Sequence, residues 1–130
     1  MNRIITFIVL GFSIHSFSQT QAEMNQEAYV AFKKADKVLN NIYKKIISDY
    51  QHDTIFIKSL KKTQRKWIEF RDSELEMKFP EYPAPYYGSV QPMCRDYYLE
   101  ELTIQRVNTL KIWLEGIKEG DMCSGSVKVN

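Results

Sequence analysis

From Thr20 to Tyr50 the chain carries no glycine or proline, and its apolar residues recur every three or four positions: Met24, Ala28, Ala31, Phe32, Ala35, Val38, Leu39, Ile42, Ile46 and Tyr50. That is the period of one helix face, so the segment predicts a single long helix with a buried stripe. A start signal stands in front of it. Glu23 follows Thr20 by three residues, which lets each side chain satisfy an otherwise unpaired backbone donor of the first turn. Asn40 and Asn41 are weak helix formers, but the pattern continues through them.

Two further helices follow. Asp53 and Thr54 are competent caps for the second, whose broad face comprises Phe56, Ile57, Leu60, Gln64, Trp67, Ile68, Arg71, Leu75 and Phe79, and Pro80 ends it. The third is predicted from about Gln91 to Lys118, with Met93, Tyr97, Leu102, Val107, Leu110, Trp113, Leu114 and Ile117 turned inward and Gly120 as its stop. Between them, the stretch from Pro80 to Ser89 holds three prolines, a glycine and three tyrosines, and is expected as a semi-rigid loop. No segment keeps a strand period for long. The expectation is an all-α fold, an antiparallel up-down-up bundle of three long helices, because a short connection makes neighbouring helices run in opposite directions.

Residues 1–18 have the pattern of an export signal: Arg3, an apolar run from Ile4 to Ile14, then small residues at Ser16 and Ser18. The run is shorter than the roughly 20 residues a membrane-spanning helix needs, which favours cleavage before Gln19 over an uncleaved anchor. A periplasmic or secreted protein is expected, with one helical domain over 19–120, a flexible polar tail over 121–130 and no transmembrane segment after cleavage. The chain has 18 lysines and arginines against 16 acids, and removal of Arg3 leaves 17 against 16. So even a balance argues against a nucleic-acid partner and gives no strong long-range steering.

The residues offer little for catalysis. His15 lies in the signal and His52 at a helix junction, with no serine or cysteine nearby in a nucleophile pattern, and without a second histidine in the mature chain neither a metal site nor a cofactor is expected. Glu69, Asp72 and Glu76 share helical spacing, as an acid pair for sugar hydrolysis does. Flanked by Arg65, Arg71 and Lys78, they are more simply a solvated ion-pair face. Cys94 and Cys123 bracket the third helix, whose axis from Cys94 to Ile117 spans roughly 35 Å, while the following six residues reach back about 20 Å. A disulfide needs Cα atoms within about 7 Å, so a straight helix opposes the bond, although an oxidising compartment favours pairing. The geometry outweighs the compartment, and a bond between two chains stays open.

Four stretches carry a resemblance: Ala35-Asp36-Lys37-Val38-Leu39-Asn40-Asn41-Ile42-Tyr43, the run from Leu60 to Asp72 around Gln64, Trp67 and Arg71, Gly88-Ser89-Val90-Gln91-Pro92-Met93-Cys94, and Leu102-Thr103-Ile104-Gln105-Arg106. In this order and spacing they resemble the LprI-like lysozyme inhibitor family. The resemblance implies a small exported helical bacterial protein, some of whose relatives inhibit lysozyme while most have no assigned role; its partner would be lysozyme or another peptidoglycan hydrolase. Many members carry cysteines at positions corresponding to about Glu27 and Leu75, which the resemblance pairs across the first two helices, and another near the mature amino terminus that would partner Cys94. All three are absent here. The bundle must then rely on packing, without links typically worth roughly 2 to 4 kcal/mol each.

Two readings of the signature residues stand. Asp36, Asn40 and Tyr43 share one helix face with Leu39 beside them, Gln64, Trp67 and Arg71 share another, and so do Thr103 and Arg106. The structural reading makes them a hydrogen-bonded layer that fixes register, with Arg71 and Arg106 pairing with Asp36 or Asp72. The functional one makes them an exposed groove. The loop also has two readings. Tyr82, Tyr86 and Tyr87 on a proline-stiffened backbone, with Glu81 or Ser89 as hydrogen-bonding partners, suit a plug for a lysozyme cleft. Alternatively, Tyr86 and Tyr87 cover the bundle end and Ser89 caps the third helix. At the level of the whole chain, an inhibitor of a peptidoglycan-cleaving enzyme stands beside a non-inhibitory envelope binding or structural module.

Overall fold

The computed structural model describes residues 19–130, so the expected export signal, with Arg3 and His15, lies outside the described residues. Three helices follow in order, α1 (Gln21–Asp49), α2 (Thr54–Lys78) and α3 (Gln91–Glu115), and no named strand occurs among the described residues. Both predicted starts are built from side chains. The Thr20 hydroxyl accepts the Glu23 backbone N–H at 3.2 Å while the Glu23 carboxylate accepts the Thr20 N–H at 2.9 Å. Asp53 accepts the Phe56 N–H at 2.9 Å.

The three rods run up, down and up, as expected. At one end Asn25 reaches the Ser89 carbonyl and Gln21 the Met93 sulfur, and at the other the Tyr50 hydroxyl donates to the Trp113 carbonyl, so α1 and α3 run in the same direction. Along α2 the partners run in reverse: Phe56 meets Tyr50 and Trp113, Gln64 meets Arg106, Arg71 meets Asp36 and Glu74 meets Tyr98. The helices α1 and α3 pack most closely. Small side chains permit that approach, since Ala28 and Ala35 on α1 and Thr103 on α3 are all buried. The core continues toward the α1–α2 turn through Leu39, Ile46, Tyr50, Leu60, Val107 and Leu110, with Phe56, Trp67 and Trp113 packed around it.

Several details differ from the sequence expectation. Val38, Ile68 and Tyr97, placed on inward faces by their spacing, are 40 %, 40 % and 44 % exposed, because three helices leave the outer margins of each stripe uncovered. The third helix stops at Glu115 rather than Lys118. Gly116, with φ of +77°, supplies the left-handed turn there, and Gly120 lies beyond it in the return segment. Ser89 does not cap α3: Val90 occupies the cap position, no side chain caps the helix, and Pro92 stands in its first turn.

Where a free tail is expected past residue 120, the chain instead turns back onto the bundle. Ile117 donates its N–H to the Lys128 carbonyl and accepts the Asn130 N–H at its own carbonyl, Trp113 Nε1 donates to the Ser126 hydroxyl, and the Lys128 N–H donates to the Tyr50 hydroxyl at 3.0 Å. Tyr50 therefore joins α1, the end of α3 and the return. The polar composition of residues 121–130 hides this, because the contacts are made mostly by backbone. Cys94 is half-buried in the first turn of α3, Cys123 is exposed beyond its far end, and both thiols are free.

Ile46 is fully buried, so Ile46→Ala is expected to lower unfolding free energy by about 2–5 kcal/mol in urea titrations. Tyr50→Phe is expected to cost about 1 kcal/mol and to make residues 117–130 the first segment cut in limited proteolysis.

Candidate functional site

Two constellations stand out, a charged layer at mid-height and the loop at the α2–α3 end. In the layer, the Arg71 guanidinium lies 3.0 Å from Asp72 and 3.6 Å from Asp36 across the α1–α2 interface, with only 14 % of the side chain exposed. Its cation also sits over the Trp67 ring at 5.4 Å and the Phe32 ring at 5.8 Å. Arg106 departs from the expected acid pairing. Its Nε donates to the Gln64 amide oxygen at 3.0 Å and its guanidinium approaches Trp67 at 5.9 Å. Burial pulls its pKa below the ordinary value, and among the described residues no carboxylate lies within salt-bridge distance.

The remaining signature residues divide by depth. Leu39, Gln64 and Thr103 are buried, Asp36, Tyr43 and Trp67 are half-buried, and Asn40 and Asp72 are exposed, with the Asn40 amide donating to Asp36 at 3.3 Å. The Thr103 hydroxyl is enclosed without a hydrogen-bond partner among the described residues. Such a group costs stability, whereas the Gln64–Arg106 bond satisfies two groups at once.

At the loop end, an aromatic chain ties the loop to the bundle. Phe79 packs edge-on against Tyr98 and Tyr87, and the Tyr87 hydroxyl donates to the Pro80 carbonyl at 2.8 Å. Tyr82, Tyr86 and Tyr87 then pack on one another with centroids 4.6 to 6.0 Å apart, Tyr82 stacked on Tyr87, Tyr86 edge-on to Tyr87 and tilted against Tyr82. They differ in access: Tyr87 is half-buried, while Tyr82 is 50 % and Tyr86 68 % exposed. Beside them opens a cleft of about 550 Å³ lined by Glu81, Tyr82, Tyr86, Tyr87, Gln91 and Arg95, among others. Gly88, at φ of +70°, turns the chain out of this loop toward α3. Glu81 and Ser89 are both exposed, and Ser89 offers its carbonyl to Asn25.

Sequence reasoning passed over three neighbours of this cleft. Gln91, Arg95 and Tyr98 recur at helical spacing on the face of α3 that turns to the loop, and that period was the available signal. Tyr98 also donates to Glu74 at 3.2 Å beneath the Lys78 ammonium, which stands 3.7 Å from the ring centre. Burial, then the Glu74 hydrogen bond, raise the Tyr98 phenol above its ordinary value. Burial likewise raises Tyr87 and the Asp96 carboxyl, the last against the pull of Arg95.

The even net charge conceals a lengthwise separation. The half of the bundle containing the loop, residues 19–35 and 67–103, carries ten acids and five lysines or arginines. The opposite half, residues 36–66 and 104–130, carries twelve lysines or arginines and six acids. Steering is therefore available at each end, with opposite sign.

No group of three or more histidines, cysteines, aspartates or glutamates is placed to hold a metal among the described residues. His52 is exposed at the α1–α2 turn, and Glu69, Asp72 and Glu76 are exposed along α2. No helix among the described residues is long and apolar enough to cross a membrane.

The comparisons agree with the resemblance. A family model described as lysozyme inhibitor LprI matches residues 15–110. An uncharacterized protein of Rhizobium meliloti (strain 1021) is 31 % identical over 107 residues, spanning 74 % of this chain and 75 % of the relative. No solved structure matches the chain. The family match ends before the segment that returns onto Tyr50.

Thr103→Val, which removes an unpartnered hydroxyl at nearly constant shape, is expected to leave thermal stability unchanged or raise it by about 1 kcal/mol. Gln64→Ala, which strands Arg106, is expected to lower it by about 1–3 kcal/mol, both read by calorimetry.

Proposed function

Because the chain belongs to the LprI lysozyme inhibitor family, we propose that it is exported and inhibits a lysozyme by docking the tyrosine loop into the enzyme's cleft. The observation that carries this reading is the contrast within the loop: Tyr87 fixes it through Pro80 and Phe79, while Tyr82 and Tyr86 stand out as an exposed pair in tilted contact. A preformed aromatic projection loses little conformational freedom on binding, and tyrosine is enriched among residues that dominate interfaces. Glu81, exposed beside the pair, supplies a carboxylate for polar groups lining such a cleft. The excess of acids in this half adds attraction for a positively charged target.

In the same reading, the mid-height layer holds the loop in place by fixing how α2 sits against its neighbours. Arg71 reaches from α2 to Asp36 on α1 and Arg106 from α3 to Gln64 on α2, both against Trp67, and neither needs to touch the target.

Titration of the exported protein into lysozymes of several classes, with cell-wall lysis as the readout, tests the proposal. The parent is expected to protect the walls against at least one class. Tyr82→Ser with Tyr86→Ser is expected to weaken that protection by roughly 30-fold, the scale of one interface hot spot, while leaving the helical circular dichroism spectrum intact. Protection unaffected by the double substitution would keep the inhibitor and remove the loop from the mechanism. No protection in any class would assign the scaffold to a non-inhibitory envelope module.

A further inference from the structure

The opposite end of the molecule carries a second surface, made by the outward face of the first half of α2. Ile55, Lys58, Lys62 and Lys66 follow one another at spacings of three and four residues, with Lys61 and Arg65 beside them, and all six are exposed. Between Thr54 and Lys66 there is no acid at all. Lys66 has one exposed partner in Glu69 at 3.8 Å, and Lys58, Lys61, Lys62 and Arg65 have no carboxylate within salt-bridge distance among the described residues.

This arrangement runs against helix electrostatics. Like charges three and four residues apart on a helix repel, and Lys58, Lys61, Lys62, Arg65 and Lys66 face one another at those spacings, while the Asp53 carboxylate at the cap is taken up by the Phe56 N–H. Nothing in the fold gains from them, because the side chains that hold α2 to the bundle lie on its other face. A surface that keeps such repulsion is explained by a negatively charged partner. Its apolar content narrows the partner. Ile55 is 80 % exposed within the basic face, and Met122, in the return segment at the same end, is 99 % exposed. A soluble polyanion has no use for a projecting isoleucine, whereas cations around an apolar tip match the headgroups and acyl boundary of an anionic bilayer.

We infer that this face of α2 docks reversibly on an anionic phospholipid surface, a binding site separate from the tyrosine loop. The loop follows the opposite end of α2, so Tyr82 and Tyr86 are no part of this face. The inference stands whether or not the loop inhibits lysozyme.

Co-sedimentation of the exported protein with lipid vesicles tests it. The protein is expected to pellet with vesicles of phosphatidylglycerol mixed with phosphatidylcholine, to stay in solution with phosphatidylcholine alone, and to be released by high salt. At about fivefold per cation, Lys58→Gln with Lys62→Gln and Lys66→Gln is expected to weaken partitioning roughly a hundredfold. Ile55→Ser is expected to weaken it several-fold, and Tyr82→Ser with Tyr86→Ser to leave it unchanged. Circular dichroism of the exposed-face variants checks that the helices persist. Absence of binding to anionic vesicles, equal binding to both compositions, or full binding by the triple variant would overturn the inference. So would equally tight capture of soluble polyphosphate with no effect of Ile55→Ser, which would make the ligand a polyanion rather than a membrane.

Discussion

The close parallel contact of α1 and α3 is the constraint on which the rest of the molecule depends. Alanines at positions 28 and 35 and Thr103 let the two backbones approach, and the larger core residues Leu39, Ile46, Val107 and Leu110 then fill the space toward the turn. Against that pair α2 packs less closely. It is held instead by long side chains reaching across, among them Phe56, Gln64, Trp67 and Arg71. The Gln64–Arg106 and Arg71–Asp36 contacts join α2 to α3 and to α1.

Fixing α2 also fixes the loop that leaves it. Phe79 ends the helix, packs against Tyr98 of α3 and receives Tyr87 on its other side, so the position of the tyrosine cluster is inherited from the bundle rather than from the loop alone. The Tyr87–Pro80 hydrogen bond closes the base of the turn. Two tyrosines are left outside, supported by a ring that is itself anchored.

Much of the architecture was legible because it is written in local signals. The Thr20–Glu23 pair, Asp53 and the long apolar stripe each act within a few residues, and each had its expected structural outcome. Misplaced residues share another cause. Val38, Ile68 and Tyr97 lie at the edges of periodic faces, where exposure depends on how many neighbours a helix has. The return of residues 117–130 depends on backbone groups and on Tyr50, almost eighty positions earlier, so no composition rule within the segment reveals it. At the loop, the tyrosines were visible but their division into anchor and projection was not, since that rests on which ring reaches the Pro80 carbonyl. Arg106 likewise looked like half of an ion pair, and only the packing shows that an amide and an indole receive it.

The separation of charge along the rods has a consequence for how copies of the molecule meet. A nearly neutral body with an acidic pole and a basic pole behaves as a large dipole, and two such bodies attract when the pole of one faces the contrary pole of the next. The attraction fades once the Debye length falls to about 10 Å near 0.1 M salt. Head-to-tail contact of this kind joins two different surfaces, so it lacks the two-fold self-complementarity of a symmetric dimer interface.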